Sequence, residues 1–184
     1  MTRYSPDRAP HTRARIVESA AKLVRVHGVD GAGLKLIMES VGMTTGGFYK
    51  YFDSKDQLMA EALKAASAPL DELDPAESSL EHALGIYLSR EHRDRPGAGC
   101  AVAAVITDAG RSGAEVKQAY TEKAISKLDF FEALIGPHQD ARALSILVAC
   151  ACLGAVNLSR AIDNEGLSDE ILHAVSDQLQ RITK

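Results

Sequence analysis

The chain has 184 residues, of which 46% are hydrophobic and 25% are charged, and its net charge is −4. Such a composition is that of an ordinary globular protein, and the acidic balance excludes a wholly basic, non-specific nucleic-acid binder. The charge is uneven, because residues 1–60 carry 9 Lys and Arg against 6 Asp and Glu, whereas residues 61–184 carry 12 against 19. A positive N-terminal end and an acidic remainder suit a protein that meets DNA with one end only.

The pattern of apolar residues is helical along the whole chain, so we predict an all-α protein. A first domain is predicted over residues 1–53, ordered from residue 12, and a second helical domain over residues 54–184. Helix one is predicted from Thr12 to Gly28, after a mobile tail that carries Arg3 and Arg8. The later helices are predicted at 54–67, 77–94, 99–109, 114–135, 139–163 and 168–183.

A helix-turn-helix is predicted between Leu36 and Tyr51. Apolar residues up to Val41 recur at helical spacing, Gly42 can take the positive φ that ends a helix, and Thr44 can cap the next helix. Helix, tight turn and second helix are the order of a DNA-binding unit whose second helix enters the major groove. Because Phe48 and Phe52 are four residues apart, we expect them to share a buried face.

A second helix start is predicted at Ser54, since Ser54 to Gln57 has the spacing of a capping box. Lys55 then lies at a helix N-terminus, where its charge opposes the helix dipole and a neighbouring phosphate would offset that cost.

The segment Gly42-Met-Thr-Thr-Gly-Gly-Phe-Tyr-Lys-Tyr-Phe-Asp-Ser-Lys-Asp-Gln-Leu58 resembles the signature of the tetracycline-repressor (TetR/AcrR) family. That signature runs G-V-S-x-G-[TS]-[LIF]-Y-x-[YH]-F-x-[ST]-K-[ED]-x-L, and the resemblance covers about residues 13–63. It implies a three-helix N-terminal DNA-binding domain and a C-terminal helical domain for ligand binding and dimerisation. The family often has two threonines where this chain has Ala32 and Gly33.

The resemblance and the position of the second helix together predict the residues that contact double-stranded DNA. Those expected in the major groove are Thr45, Gly46, Gly47, Tyr49 and Lys50, and those expected at phosphates are Thr44, Tyr51 and Lys55. The alternative for Tyr49 is partial burial beneath its own helix.

The resemblance also implies a small-molecule inducer that binds inside the second domain. Apolar residues at helical spacing there are candidates for the pocket, or else plain core: Leu84, Tyr87, Leu88, Val102, Val105, Ile106, Tyr120, Phe130 and Phe131. Since aromatic residues make up 5% of the chain and Trp is absent, an aliphatic or small ligand is favoured over a large planar one.

Cys100 is a candidate redox-sensing residue. It lies at a predicted helix start near Arg93 and Arg95, and both features favour a reactive thiol. The alternative is that it is a small buried apolar residue. Cys150 and Cys152 point about 200° apart on a helix, so a shared metal or a local disulfide is not expected.

The last two helices are predicted to form a homodimer as a four-helix bundle, or alternatively to close only the core of one chain. The interface residues so predicted are Leu144, Leu147, Val148, Ala151, Ala155, Leu158, Ile171, Val175 and Leu179.

Three cysteines in a chain whose first residues lack the apolar stretch of a signal peptide predict reduced thiols and a cytoplasmic location. The apolar run from Ala143 to Leu158 is shorter than the ~20 residues that span a bilayer, so we expect a buried helix and no membrane partner.

The chain contains no P-loop, no dinucleotide-binding fingerprint and no nucleophile elbow, so neither an enzyme nor a cofactor is predicted. Glu170 and His173 have the spacing used by di-iron bundles, but no second such motif occurs, so no metal site is predicted. We therefore expect a homodimeric repressor that an inducer releases from a palindromic operator. The alternatives are an activator or ligand-independent regulator, or a helical bundle whose helix-turn-helix is vestigial.

Overall fold

The computed structural model describes residues 8–183, and over that range the regular structure is helical, as predicted. Its α-helices are α1 (Arg8–Gly31), α2 (Leu34–Ser40), α3 (Lys55–Ala65), α4 (Leu80–Tyr87), α5 (Arg90–Asp94), α6 (Ala101–Arg111), α7 (Ala114–Ile135), α8 (Ala141–Ala161) and α9 (Glu165–Ile182). Shorter 3₁₀ helices cover Thr45–Lys50, Pro69–Glu72 and Pro96–Ala98.

The first helix begins at Arg8, four residues before the predicted start at Thr12. Pro10 is compatible with this because the first turn of a helix has no use for its missing N–H. Residues 8–11, which the sequence analysis assigned to the tail, are thus part of α1, and residues 1–7, with Arg3, lie outside the described part of the chain.

Gly28 interrupts α1, as predicted, with φ +75° and ψ 176°. A single helical turn follows and leads into α2. The chain between Leu80 and Asp94 differs from prediction, because two short helices replace one long one. Ser89 caps the second of them by accepting a hydrogen bond from the His92 N–H at 3.1 Å.

Two apolar cores hold the helices together. The first joins α1, α2, the 3₁₀ helix Thr45–Lys50 and α3, and it includes Ile16, Ile37, Phe48 and Leu58. It also takes in Val105 of α6 and Val116 of α7, so these helices pack directly against the N-terminal unit. The second core lies among α4, α6, α7, α8 and α9 around Tyr87, Phe131 and Leu172.

Helix α8 is buried on one side only, whereas the sequence predicted a buried helix. Val148, Cys152 and Val156 are fully enclosed, but Leu147 and Leu158 are 48% and 53% exposed. By length and composition α8 is the one helix within residues 8–183 that could cross a membrane, and 33% of its most apolar window is buried in the chain. Core helices of soluble proteins meet the same criterion.

Candidate nucleic-acid interface and cavities

The turn between α2 and the following 3₁₀ helix is closed by backbone hydrogen bonds around Gly42. Its φ is +75°, as predicted, and its N–H donates to the Glu39 carbonyl at 3.0 Å. The Met43 N–H donates to the Met38 carbonyl at 2.8 Å. This geometry satisfies the orphan carbonyls at the end of α2 and sets the angle between the two helices.

The second helix of the unit is a 3₁₀ helix over Thr45–Lys50 rather than an α-helix. Gly46 and Gly47 explain the difference, because each costs about 1 kcal/mol relative to Ala in an α-helix. The prediction that the Thr44 side chain caps this helix is wrong, since its hydroxyl makes no capping bond. The Thr44 carbonyl instead accepts from the Gly47 N–H at 3.0 Å.

One side of this 3₁₀ helix is core and the other is open. Phe48 and Phe52 are buried and stack with ring centroids 5.5 Å apart, as predicted. Tyr49 is 71% exposed, which contradicts the alternative of partial burial. Of the other residues predicted to contact DNA in this segment, Thr44, Thr45, Gly46 and Lys50 are exposed and Gly47 is half-buried.

Arg13 of α1 fixes the end of the 3₁₀ helix to the rest of the domain. Its Nε donates to the Tyr51 carbonyl at 3.2 Å, and its guanidinium lies 4.5 Å from the centroid of the Phe52 ring. It also pairs with Glu61 of α3 at 2.5 Å. Tyr51 is half-buried beside this cluster. Through Arg13, its carbonyl is connected to both α1 and α3.

Ser54 caps α3 as predicted, accepting from the Gln57 N–H at 3.0 Å. The Gln57 side chain reaches one residue further back than in a capping box and accepts from the Asp53 N–H at 2.8 Å. Lys55 is the first residue of α3, and its Nζ lies 3.4 Å from the Asp30 carbonyl. The ammonium group thus lies beside the turn that joins α1 to α2.

A cavity of about 610 Å³ lies between the segment that follows α3 and helices α4 and α5. Pro69, Leu70 and Ile86 supply apolar walls, and Tyr87 and Cys100 are also among the residues that line it. A smaller cavity of about 280 Å³ on the other side of Cys100 is lined by Val102, Phe130 and the ion pair that buried Lys127 makes with Asp71. A shallower groove of about 750 Å³ between α1 and α3 is open to solvent.

The predicted pocket residues are divided by the structure. Tyr87 lines the larger cavity, and Val102 and Phe130 line the smaller one. The others line neither: Leu84, Leu88, Val105 and Phe131 are buried core, Ile106 is 42% exposed, and Tyr120 is half-buried with its hydroxyl donating to the Val102 carbonyl at 3.4 Å.

Sequence reasoning missed most of the lining of the larger cavity. The sequence did mark its frame, since Pro69 and Pro96 each begin a 3₁₀ helix beside the cavity.

Cys100 is the residue before α6 and is 4% exposed, in the wall between the two cavities. The arginines predicted to lie beside it are engaged elsewhere, because Arg93 pairs with Asp94 and Asp169 and Arg95 pairs with Glu91. The positive groups near it come from other elements. Arg25 of α1 places Nη1 3.5 Å from the Gly99 carbonyl, and Arg160 of α8 donates to the His92 carbonyl at 2.7 Å.

The apolar residues predicted for a dimer interface form two different surfaces. Val148, Ala155 and Leu179 are at most 4% exposed, so they close the core of the chain instead of forming the predicted exposed interface. Leu147 and Leu158 lie on the opposite side of α8 and are exposed. Leu144, Ala151, Ile171 and Val175 are half-buried, and the last three pack against the second core.

Glu170 and His173 are both exposed on α9. Within residues 8–183, no three His, Cys, Asp or Glu side chains converge in a way that could hold a metal ion.

Comparison with known proteins places the N-terminal unit in a family. The family model described as "Bacterial regulatory proteins, tetR family" matches residues 16–62. A Pseudomonas putida protein named "Probable HTH-type transcriptional regulator ArpR" is 34% identical over 85 residues, which cover 41% of this chain and 40% of that protein. The match thus spans less than half the length of that relative.

Solved structures share the fold over almost the whole chain. A TetR transcriptional regulator from Chloroflexus aurantiacus is 21% identical, with 94% of each chain covered and a TM-score of 0.72. A TetR-family regulator from Cytophaga hutchinsonii is 19% identical, with 97% of each covered and a TM-score of 0.74. The reduced form of NemR from E. coli is 17% identical, covering 93% of this chain and 96% of that one, with a TM-score of 0.75.

The family match falls on α1, α2, the 3₁₀ helix and the start of α3, where the structure has its helix-turn-helix, and the shared fold extends over the remaining helices. The N-terminal unit of the chain therefore belongs to the tetR family of bacterial regulatory proteins, and the chain as a whole has the fold of solved TetR-family regulators.

Proposed function

We propose that this protein is a homodimeric transcriptional repressor that leaves a palindromic DNA operator when a small molecule binds its second domain. The observation that carries the proposal is the open face of the 3₁₀ helix Thr45–Lys50. It presents a hydroxyl, a glycine backbone, a phenol and an ammonium group to solvent, while Phe48 and Phe52 hold its other side in the core.

The proposed DNA contacts of this surface are of two kinds, to bases and to phosphates. Thr45, Tyr49 and Lys50 lie on the open face, where they can reach base edges in the major groove. At Gly46 an added Cβ would meet nothing within 4 Å, so the open side admits close approach of DNA. Thr44, whose hydroxyl makes no capping bond, and Lys55, at the N-terminus of α3, can contact DNA phosphates. Phosphate contacts of this kind set the register of a protein on DNA.

A second copy of the chain is the expected cover of the exposed side of α8. Ala143, Leu147, Cys150, Gly154 and Leu158 follow one another at intervals of three or four residues and are all exposed. Small residues at this spacing allow two helices to approach closely, and a twofold axis beside α8 would pair the stripe with itself. Two reading helices related by that axis require a palindromic site.

Ligand control is supported by the contacts between the cavities and the N-terminal unit. Cys100, in the cavity wall, is the residue that precedes α6, and α6 carries Asp108. Asp108 Oδ2 accepts a hydrogen bond from the Val29 N–H at 2.8 Å, at the break in α1. A ligand that displaces α6 therefore also moves α1, which packs against the helix-turn-helix. In a dimer, such a movement changes the distance between the two helix-turn-helix units.

The proposal is tested by in vitro selection from a random duplex library at about 0.15 M salt, a concentration at which non-specific binding is weak. Recovery of a palindrome with half-sites about one helical turn apart, ~34–36 Å, is the expected result. Thr45→Ala combined with Lys50→Ala should abolish the enrichment, whereas Arg181→Ala, which removes an exposed charge on α9, should preserve it. Enrichment of no sequence by the wild-type chain would refute the proposal.

A further inference from the structure

The larger cavity has the thiol of Cys100 in its wall, and the three cysteines differ in burial and position. Cys100 is 4% exposed and lines the cavity, whereas Cys152 is fully buried in the second core and Cys150 lies on the exposed side of α8. Cys100 immediately precedes α6, an 11-residue helix, so its side chain lies at the positive end of the helix dipole.

Two guanidinium groups from different helices converge on the backbone next to Cys100. Arg25 Nη1 lies 3.5 Å from the Gly99 carbonyl, and a Cβ placed on Gly99 would lie 3.2 Å from Arg160 Nη2. The Cys100 thiol thus lies at a helix N-terminus with one guanidinium group from α1 and one from α8 nearby.

The backbone of Cys100 is held by a neutral imidazole. The Cys100 N–H donates to His92 Nε2 at 3.0 Å, and His92 Nδ1 lies 2.6 Å from the Tyr87 carbonyl. Since Nε2 accepts, the ring proton is on Nδ1, which donates to that carbonyl. Burial lowers the pKa of His92, with the Tyr87 carbonyl acting in the opposite direction, and this favours the same neutral form.

A polar group without a partner lies beside this thiol. The Tyr87 hydroxyl is buried, with the residue 2% exposed, and it has no hydrogen-bond partner among the described atoms. Burial raises the pKa of Tyr87, and Cys100 adds to the effect, so the phenol stays protonated and can donate. A buried donor left unsatisfied costs about 1–3 kcal/mol, so a ligand with an acceptor at this point would be stabilised.

We propose that this cavity binds small α,β-unsaturated carbonyl compounds and that Cys100 forms a covalent adduct with them. The Cys100 thiol loses its proton to water, and its Sγ attacks the β-carbon as the C–C π bond breaks. The Tyr87 hydroxyl donates to the carbonyl oxygen, which carries the negative charge of the resulting enolate. A proton from water then adds to the α-carbon. The adduct is a thioether, and no oxidant or reductant is consumed.

The adduct also has a route to DNA release, and this step rests on the proposed function. Arg25 belongs to α1 of the N-terminal unit, and its Nη1 bonds the Ser67 carbonyl at 2.7 Å as well as approaching Gly99. A group attached at Cys100 adds volume between Gly99 and the start of α6. It therefore displaces the two elements, the Gly99 carbonyl and α6, that contact α1.

The chemistry is tested by intact-mass spectrometry of the purified protein with two small reagents, methyl vinyl ketone and methyl methanethiosulfonate. The first has the carbonyl that Tyr87 would bind, and the second reacts with thiols but has no carbonyl. Tyr87→Phe should slow the addition of methyl vinyl ketone at Cys100 about 10- to 100-fold, the loss expected for a hydrogen bond to a charged oxygen, while leaving the rate with methyl methanethiosulfonate unchanged. Cys150→Ser and Cys152→Ser are the matched controls and should keep the Cys100 adduct.

Peptide mapping decides the outcome. An adduct with methyl vinyl ketone that forms only at Cys150, or equal slowing of both reagents by Tyr87→Phe, would overturn the proposal. Binding to the selected duplex is then measured before and after alkylation. Loss of binding in the wild type and its retention in Cys100→Ser support the route through Arg25, and unchanged binding of a fully Cys100-alkylated protein refutes that route. Failure of the unmodified protein to bind any duplex refutes the proposed function instead, because the adduct rates are measured without DNA.

Discussion

Gly28 is the residue at which α1 changes direction. Its φ of +75° with ψ of 176° lies in a region that only glycine occupies readily. Because the helix is interrupted at Gly28, the Val29 N–H is free to donate a hydrogen bond to Asp108 Oδ2 of α6, at 2.8 Å. A Cβ on Gly28 would overlap that same carboxylate oxygen. Backbone conformation and contact with α6 therefore both require glycine here.

Replacing Gly28 with alanine should lower the free energy of unfolding by about 1–3 kcal/mol for the backbone strain alone, with a further loss as Asp108 moves away. Urea denaturation followed by circular dichroism measures this change. Gly110→Ala is the matched control, since Gly110 lies in the same helix as Asp108 and an added Cβ meets nothing within 4 Å. That control should stabilise the protein by up to about 1 kcal/mol. Equal effects of the two substitutions would contradict the role given to Gly28.

His92 gives the stability a dependence on pH. Burial lowers its pKa in the folded chain, with the bond to the Tyr87 carbonyl opposing the shift, while the unfolded chain titrates near ~6.5. Below that pH the unfolded chain binds a proton that the folded chain does not, so the free energy of unfolding falls as the pH decreases. His92→Gln should therefore flatten the curve of unfolding free energy between about pH 7 and pH 5.

The control for this measurement is His173→Gln, because His173 is exposed on α9. Its curve should follow that of the wild type. A wild-type curve that His92→Gln leaves unaltered would show that the loss of stability in acid comes from other groups.

The 3₁₀ helix Thr45–Lys50 and the N-terminus of α3 are expected to make different kinds of contact with DNA. Lys55→Ala would remove the proposed phosphate contact, so it should weaken binding to all duplexes by a similar factor and reduce the salt slope by about 1. Thr45→Ala or Lys50→Ala should instead change the preferred bases and cost about 1–3 kcal/mol on the best site. Competition binding of matched and mismatched duplexes at several salt concentrations separates the two effects. A uniform loss on every sequence for all three variants would contradict the division.

Features that are local in sequence were predictable, and those that depend on distant packing were not. The positive φ of Gly42 and the Ser54 cap follow from a few neighbouring residues, and the structure confirms both. Wall and core residues of a cavity share the same helical spacing, so the pattern alone could not separate Tyr87 from Leu84. The arginines beside Cys100 were also misassigned, because Arg25 and Arg160 are far from it in sequence and come near only through packing.

For the whole molecule, the charge distribution and the exposed side of α8 describe two different surfaces. The N-terminal part, residues 1–60, is net positive, whereas the acidic remainder of the chain repels the phosphates of DNA. The exposed stripe of α8, in contrast, carries no charge between Ala143 and Leu158. An apolar surface of this kind is stabilised by removal from water, which a second chain can provide.

Leu158→Glu should convert the proposed dimer to a monomer, because it would bury an unpaired carboxylate in the interface that the stripe forms. Sedimentation velocity at micromolar concentration measures the state. Ile125→Glu is the matched control, since Ile125 is 47% exposed on α7 and lies off the stripe. The wild type and this control should both sediment as dimers. On DNA, Leu158→Glu should bind an isolated half-site as the wild type does but lose the added affinity of the full palindrome, because only a dimer engages both half-sites at once. A wild-type chain that sediments as a monomer, or a palindrome that Leu158→Glu binds as tightly as the wild type, would contradict assembly through α8.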